Sequence, residues 1–296
     1  MQENRLAWIF GSSRSGSTWL LKMLSELEPV VPVDDPHLGH HLGVWRPIPL
    51  AWAACEDPPR LSTLLEVKAE EPGYFFAERY RDAWEEPLRE LIRARFEAQA
   101  EGGVDAAEAA FVVKEPGSHV APFLAKIFPR SKVIFLLRDG RDVVDSWLDA
   151  YSEGSWAIPG GAFPVSDQGR LPLIRWLSEV WAFRSREVRK AYEARAEEDR
   201  ILIRYEDLRG DTETCLTRIC EMVELDPRPV PEVVDAHRFE KQPEAARGRQ
   251  RFIRRAQPGG WRDNLSPVEQ GAMHKVMGET LAEFGYEVEP QLAAAG

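Results

Sequence analysis

Residues 6–27 read LAWIFGSSRSGSTWLLKMLSEL, and the rest of the chain is organised around them. Leu6–Phe10 is an apolar run of strand length, Gly11–Gly16 is a loop of small residues, and from Ser17 the apolar positions take helical spacing. Gly11 and Gly16 stand five apart, the spacing of a loop that cradles phosphate. Glycines let backbone N–H groups approach an anion closely, and the following helix aims its positive end at the same place. Ser15, Ser17 and Thr18 add hydroxyls, and Arg14 is the only cation within the loop. A βα turn that binds nothing would need no such clustering of Gly, Ser, Arg and Thr.

The 296 residues suit one large domain, 1–296, and a 44% hydrophobic content supports a sizeable core. A net charge of −11 disfavours general nucleic-acid binding and anionic membrane surfaces, so an anion site must be a local concentration of arginine. Cys55, Cys215 and Cys220 form neither a disulfide framework nor a zinc spacing. They suit a reducing, cytoplasmic setting. Arg5 leads straight into a strand rather than a signal peptide, and no apolar run approaches membrane-span length.

After the first helix, EPVVPVDDPHLGHHLGVWRPIPLAW has no helical period and reads as a long ordered loop. Its polar residues Asp34, Asp35, His37, His40 and His41 either line a site or serve as turn residues in a solvated loop. Residues 30–86 and 152–170 are candidate substrate loops, the latter a Gly/Pro-rich flap. Leu88, Leu91, Ile92 and Phe96 predict a helix over 85–100, ended by Gly102 and Gly103. Residues 111–114 and 132–137 read as strands, and Ser118 is placed to cap a helix through Phe128. Helices are expected from the end of the 138–142 turn to about 151, and over about 172–197, 211–224 and 267–284, with a strand over 201–204 and no clear period over 226–250. Alternating strands and helices with short connections predict an α/β fold: three layers, α/β/α, with a central parallel sheet like that of P-loop NTPases. Ligands in such folds bind beyond the carboxyl ends of the strands, which puts the 11–18 loop and the 138–142 turn at one edge.

Four stretches, taken in order from residue 6 to about 265, resemble the sulfotransferase family that uses 3′-phosphoadenylyl sulfate (PAPS). Ser13-Arg14-Ser15-Gly16-Ser17-Thr18-Trp19 resembles its 5′-phosphosulfate loop. The stretch from Val133 through Arg138 to Ser146 is similar to its 3′-phosphate motif, an arginine at a strand end and a serine eight residues on. Tyr205-Glu206-Asp207-Leu208 matches a recurrent segment, and Phe252 to Arg262 resembles the C-terminal loop that usually reads RKGxxGDWK. The sequence departs from the pattern of cytosolic members at three places. Arg14 replaces a lysine, Pro116 stands where they carry a histidine, and Ala256 replaces a glycine.

The resemblance implies PAPS as co-substrate and adenosine 3′,5′-bisphosphate (PAP) as product, with no metal. Arg14, Ser15, Gly16, Ser17 and Thr18 would bind the donor's 5′ end, Trp19 and Tyr205 its adenine, and Arg138 and Ser146 its 3′-phosphate. Arg254, Arg255 and Gly259, in a closing loop 247–265, would close over it; mutual repulsion of the arginines there predicts that residues from about 247 to 262 are poorly ordered until nucleotide binds. Lys114 matches the family's strand-end lysine; otherwise it would pair with Glu115. A base must take the acceptor's proton, and Asp35 is the first candidate, with His37, His40 and His119 behind it. The acceptor would be a hydroxyl or amine of a small molecule or glycan, and a homodimer is compatible. Two other classes stay open: a metal-dependent P-loop kinase, which needs a lysine where Ser17 stands, and a nucleotide-binding module without turnover.

Overall fold

The computed structural model describes residues 1–43, 60–100, 104–160, 164–238, 241 and 258–288. The elements in chain order are β1 (Leu6–Phe10), α1 (Ser17–Leu24), β2 (Val30–Asp34), α2 (Leu38–His41), α3 (Leu61–Glu70), α4 (Arg81–Glu97), β3 (Ala110–Glu115), α5 (Ala121–Ile127) and β4 (Lys132–Leu137). They continue with α6 (Gly140–Ala150), α7 (Asp167–Glu193), β5 (Arg200–Arg204), α8 (Tyr205–Gly210), α9 (Thr212–Val223), α10 (Val230–Ala236), α11 (Trp261–Asn264) and α12 (Pro267–Glu283). The chain divides into two units. The first comprises 1–44, 62–137 and 184–237, and the second 45–61, 138–183 and 238–296.

The first unit is built on a five-stranded sheet, ordered β2-β3-β1-β4-β5, with every pair parallel. Strands β1, β3 and β4 are buried at every position, as strands covered on both faces must be. On one face Ala7, Ile9, Val112, Ile134 and Leu136 pack with Leu20 and Leu24 of α1 and with Leu216, Ile219 and Val223 of α9. Each large aliphatic side chain so buried contributes on the order of 2 kcal/mol. On the other face the Trp8 ring lies 5.9 Å from Phe96 of α4 and 5.8 Å from Phe128, and Phe135 lies 6.2 Å from Tyr192 of α7. The three-layer parallel α/β fold expected from the alternating pattern is the fold found.

Several local expectations need correction. Residues 30–34 form an edge strand rather than loop: Val31 and Val33 point inward while Pro32 is exposed. Proline, lacking a donor, is tolerated at a sheet edge. Ser118 caps no helix; residues 118–120 form a 3-10 turn before α5. Helix α4 ends at Glu97, short of Gly102 and Gly103, which lie outside the described residues. The Tyr205–Leu208 segment opens α8, and α10 occupies part of the stretch read as aperiodic.

In the second unit, Asp139 caps α6 by accepting the Arg141 N–H at 2.9 Å. Helix α12 begins with a capping box, Ser266 and Glu269 satisfying each other's backbone N–H. Trp261 of α11 is fully buried between the guanidinium groups of Arg141 and Arg262, 4.3 and 4.5 Å from its ring. No helix among the described residues is long and apolar enough to cross a membrane.

Candidate active site

Within the first unit, Gly11 follows β1 and passes the Leu136 carbonyl so closely that a Cβ there would strike it. The buried Ser118 hydroxyl receives the Gly11 N–H at 3.0 Å and donates to the Gly11 carbonyl, tying the loop to the end of β3. The loop then turns, with Ser15 N–H donating to Ser12 O at 3.1 Å. Arg14 and Gly16 both adopt positive φ, 72° and 92°. For arginine this is a strained conformation, held by its surroundings. Gly16 also packs under the Tyr205 ring, where a Cβ would lie 2.7 Å from a ring carbon. The Ser15 hydroxyl is buried without a hydrogen-bond partner. An orphaned buried hydroxyl inside a loop of this kind fits a ligand oxygen. Trp19, on α1, donates from its indole to the His237 carbonyl at 3.2 Å.

Lys114 is buried at the end of β3 and organises the polar centre of the unit. Its ammonium donates to Thr18 Oγ1 at 2.8 Å and pairs with Asp34 at 2.6 Å and Asp35 at 3.1 Å. The strand register explains the pairing, since Asp34 lies directly beside Lys114. Lys114 therefore does not pair with Glu115, whose side chain leaves the opposite face of the strand. The second Asp35 oxygen, Oδ1, is buried without a partner. Asp35 and His37 have φ of 49° and 55°, both in the left-handed region that few residues other than glycine enter.

Glu115 escaped the sequence reading. It is 1% exposed and receives the N–H groups of Leu38 at 2.8 Å, Gly39 at 3.2 Å and Gly117 at 2.6 Å. Burial pushes its carboxyl above the ordinary value, against the pull of the three N–H donors and of His37. The strands of backbone it joins run in direct contact: a Cβ on Gly39 would lie 2.6 Å from Gly117 Cα. His119 Nε2 lies 2.8 Å from the Gly39 carbonyl, which can accept from that nitrogen. His37 and His40 are exposed, with rings 5.3 Å apart. Arg184 of α7, buried, donates to Ser13 Oγ at 3.2 Å and brings a second cation to the loop.

The other expected residues belong to the second unit. Arg138 follows β4, and its carbonyl accepts the Trp181 indole N–H at 3.1 Å. Ser146 is buried in α6. Gly259 has φ 86° and donates its N–H to Asp142 at 2.7 Å; Trp261 N–H reaches the same carboxylate at 3.3 Å. From residue 258 onward the segment is thus joined to a buried carboxylate, and residues 247–257 lie outside the described residues. Arg254 and Arg255 lie outside the described residues.

The fold is shared with known structures at low sequence identity. Mouse sulfotransferase SULT7A1, solved in complex with PAP, aligns over 100% of this chain and 90% of its own at 12% identity, TM-score 0.57. The sulfotransferase domain of the curacin biosynthetic pathway aligns over 96% of this chain and 98% of its own at 15% identity, TM-score 0.51. The sulfotransferase domain of the Synechococcus PCC 7002 olefin synthase does so over 96% and 95% at 18% identity, TM-score 0.51. No curated protein matches by sequence. The sulfotransferase family matches residues 7–229, three quarters of the length and all of the sheet but Leu6, and the chain belongs to that family.

Proposed function

We propose that the chain transfers a sulfuryl group from PAPS to a hydroxyl or amine of a small-molecule or glycan acceptor, releasing PAP. The observation that carries this reading is the Lys114 ammonium, bonded at once to Thr18 in the first turn after the loop and to Asp34 and Asp35. It places a carboxylate pair one ammonium away from an anion-binding loop. In the reaction the bond between sulfur and the donor's 5′-phosphate oxygen breaks as a bond to the acceptor oxygen or nitrogen forms. Negative charge grows on the leaving phosphate, where Arg14, Lys114 and the loop N–H groups stabilise it. Arg184 supports the loop through Ser13. The acceptor's proton passes to Asp35, whose Oδ1 has no competing partner while Oδ2 is held by Lys114.

Tyr205, packed on Gly16, and Trp19 are assigned to the adenine end. Arg138, Ser146, Arg254, Arg255 and Gly259 are assigned to the 3′-phosphate by their motifs; Gly259 serves through its backbone turn. The reading also fits the SULT7A1 complex, which holds PAP. The kinase alternative lacks support at its defining position, because Ser17 occupies the lysine place.

Two measurements test the proposal. Labelled PAPS with a panel of alcohols, phenols, amines and glycans should give labelled product. PAP at about one hundred times its Kd should stabilise the fold by about 2.7 kcal/mol, and adenosine 5′-phosphate at the same concentration far less. Equal stabilisation by the two nucleotides would remove the 3′-phosphate assignment.

A further inference from the structure

We propose that Glu115 is a positioning residue for sulfuryl transfer, holding the backbone of 35–39 so that Asp35 and His37 keep their left-handed conformations. This rests on the function proposed above. Lys114 and Glu115 are consecutive on β3 and face opposite ways. Lys114 grips the segment at Asp34 and Asp35 through their carboxylates. Glu115 grips it further on, through the N–H groups of Leu38 and Gly39. The stretch from the first grip to the second is Asp35, Pro36 and His37, with φ of 49° at Asp35 and 55° at His37. Left-handed φ is uncommon even for Asp and His, the side chains other than Gly and Asn that tolerate it best, and the anchors at either end favour it here.

The carboxylate is fully used. Oε1 takes the N–H of Gly39 and Gly117, and Oε2 takes that of Leu38. Its bond to Gly117 also fixes the turn that presses on Gly39 and leads to His119, whose ring closes on the Gly39 carbonyl. A carboxylate that served only to finish β3 would need Gly117 alone. Reaching across to Leu38 and Gly39 ties the strand end to the segment bearing the proposed base. Losing that tie lets Asp35 relax and shifts the unpartnered Oδ1 that takes the proton.

Glu115→Gln tests this closely. Its amide oxygen can still receive Gly39 and Gly117, but its NH2 then faces the Leu38 N–H, donor against donor. The expected result is a fall in kcat of about 10²-fold with PAP affinity within about threefold of wild type. Glu115→Asp, which keeps the carboxylate, should recover part of kcat. Amide exchange at Leu38, read by NMR, should accelerate by about tenfold or more in the Gln variant. A folded Gln variant with kcat within about threefold of wild type, or one that loses kcat and PAP affinity together, overturns the proposal. If the Gln variant does not fold, the wild type decides: unprotected Leu38 and Gly39 amides would overturn it, and slow exchange there would support it. A wild type that transfers no sulfuryl group would overturn the functional reading instead, and the exchange data would still judge the anchor.

Discussion

Thr18 and Lys114 meet 2.8 Å apart, joining the first turn of α1 to the end of β3. The same ammonium holds Asp34 and Asp35, so one buried cation links the phosphate-type loop to both carboxylates. Lys114→Met removes it and leaves two carboxylates uncompensated. Because those carboxylates are about half exposed, the expected stability loss is modest, about 1–3 kcal/mol. The expected loss of turnover is larger, at about 10²-fold or more. Denaturant unfolding beside steady-state kinetics separates the two, and a variant less stable but fully active would detach Lys114 from the chemistry.

Arg14→Ala should abolish turnover while the unfolding midpoint moves little, since alanine keeps the Cβ and so bears the same backbone cost at the positive φ of 72°. Near-normal turnover in this variant would sink the assignment of the loop.

Gly16 combines a φ of 92° with a ring carbon of Tyr205 2.7 Å from where its Cβ would be. Gly16→Ala is expected to cost about 1–2 kcal/mol in backbone strain, with a further cost from displacing the ring. The stabilisation by PAP should disappear with it. Thermal melts with and without PAP read both effects, and an Ala variant that still responds fully to PAP contradicts the packing of Tyr205 on the loop as a binding feature.

How much of this was legible depended on the range of the interactions. Leu6–Phe10 and Lys132–Leu137 were readable because strands buried on both faces are apolar throughout. The 11–18 loop was readable because its glycines and hydroxyls are adjacent in sequence. Val30–Asp34 was not, because Pro32 reads as a breaker and only the sheet edge makes it harmless. Glu115 was hidden by its neighbour: beside Lys114 it suggested an ion pair, whereas extending the strand by one residue sends the two side chains apart. The bond from Arg184 to Ser13 spans 171 residues, and no local pattern in α7 marks that arginine among its several others. Asp35 and His37 were half legible: their residue types were visible, but their backbone conformations were not.

Cys215 and Cys220 lie on the core-facing side of α9, and burial pushes both thiols up, Cys220 to about 11. Thiolate being the reactive form, neither should be alkylated at neutral pH in the folded protein. Both should label promptly in denaturant. Peptide mapping after iodoacetamide treatment checks this, and native labelling at Cys220 would contradict the packing of α9 on the sheet.

Asp142 is the buried carboxylate that receives Gly259 and Trp261, and burial raises its carboxyl above the ordinary 3.8 despite those donors and Arg138. A carboxyl raised on folding binds its proton more tightly in the folded state. Its contribution to stability is therefore complete at low pH and declines as pH rises through the raised value. Asp142→Asn lacks this titration and also turns an amide NH2 toward one of the backbone donors, so it should be less stable at every pH. The gap in Tm between wild type and variant should be widest below about pH 4 and narrow toward neutrality. The same substitution loosens 258–264, so trypsin should cut after Arg262 in the variant and leave that bond intact in the wild type. A Tm gap that widens with rising pH would contradict the burial of the carboxylate, and equal cleavage in both proteins would contradict its hold on Gly259 and Trp261.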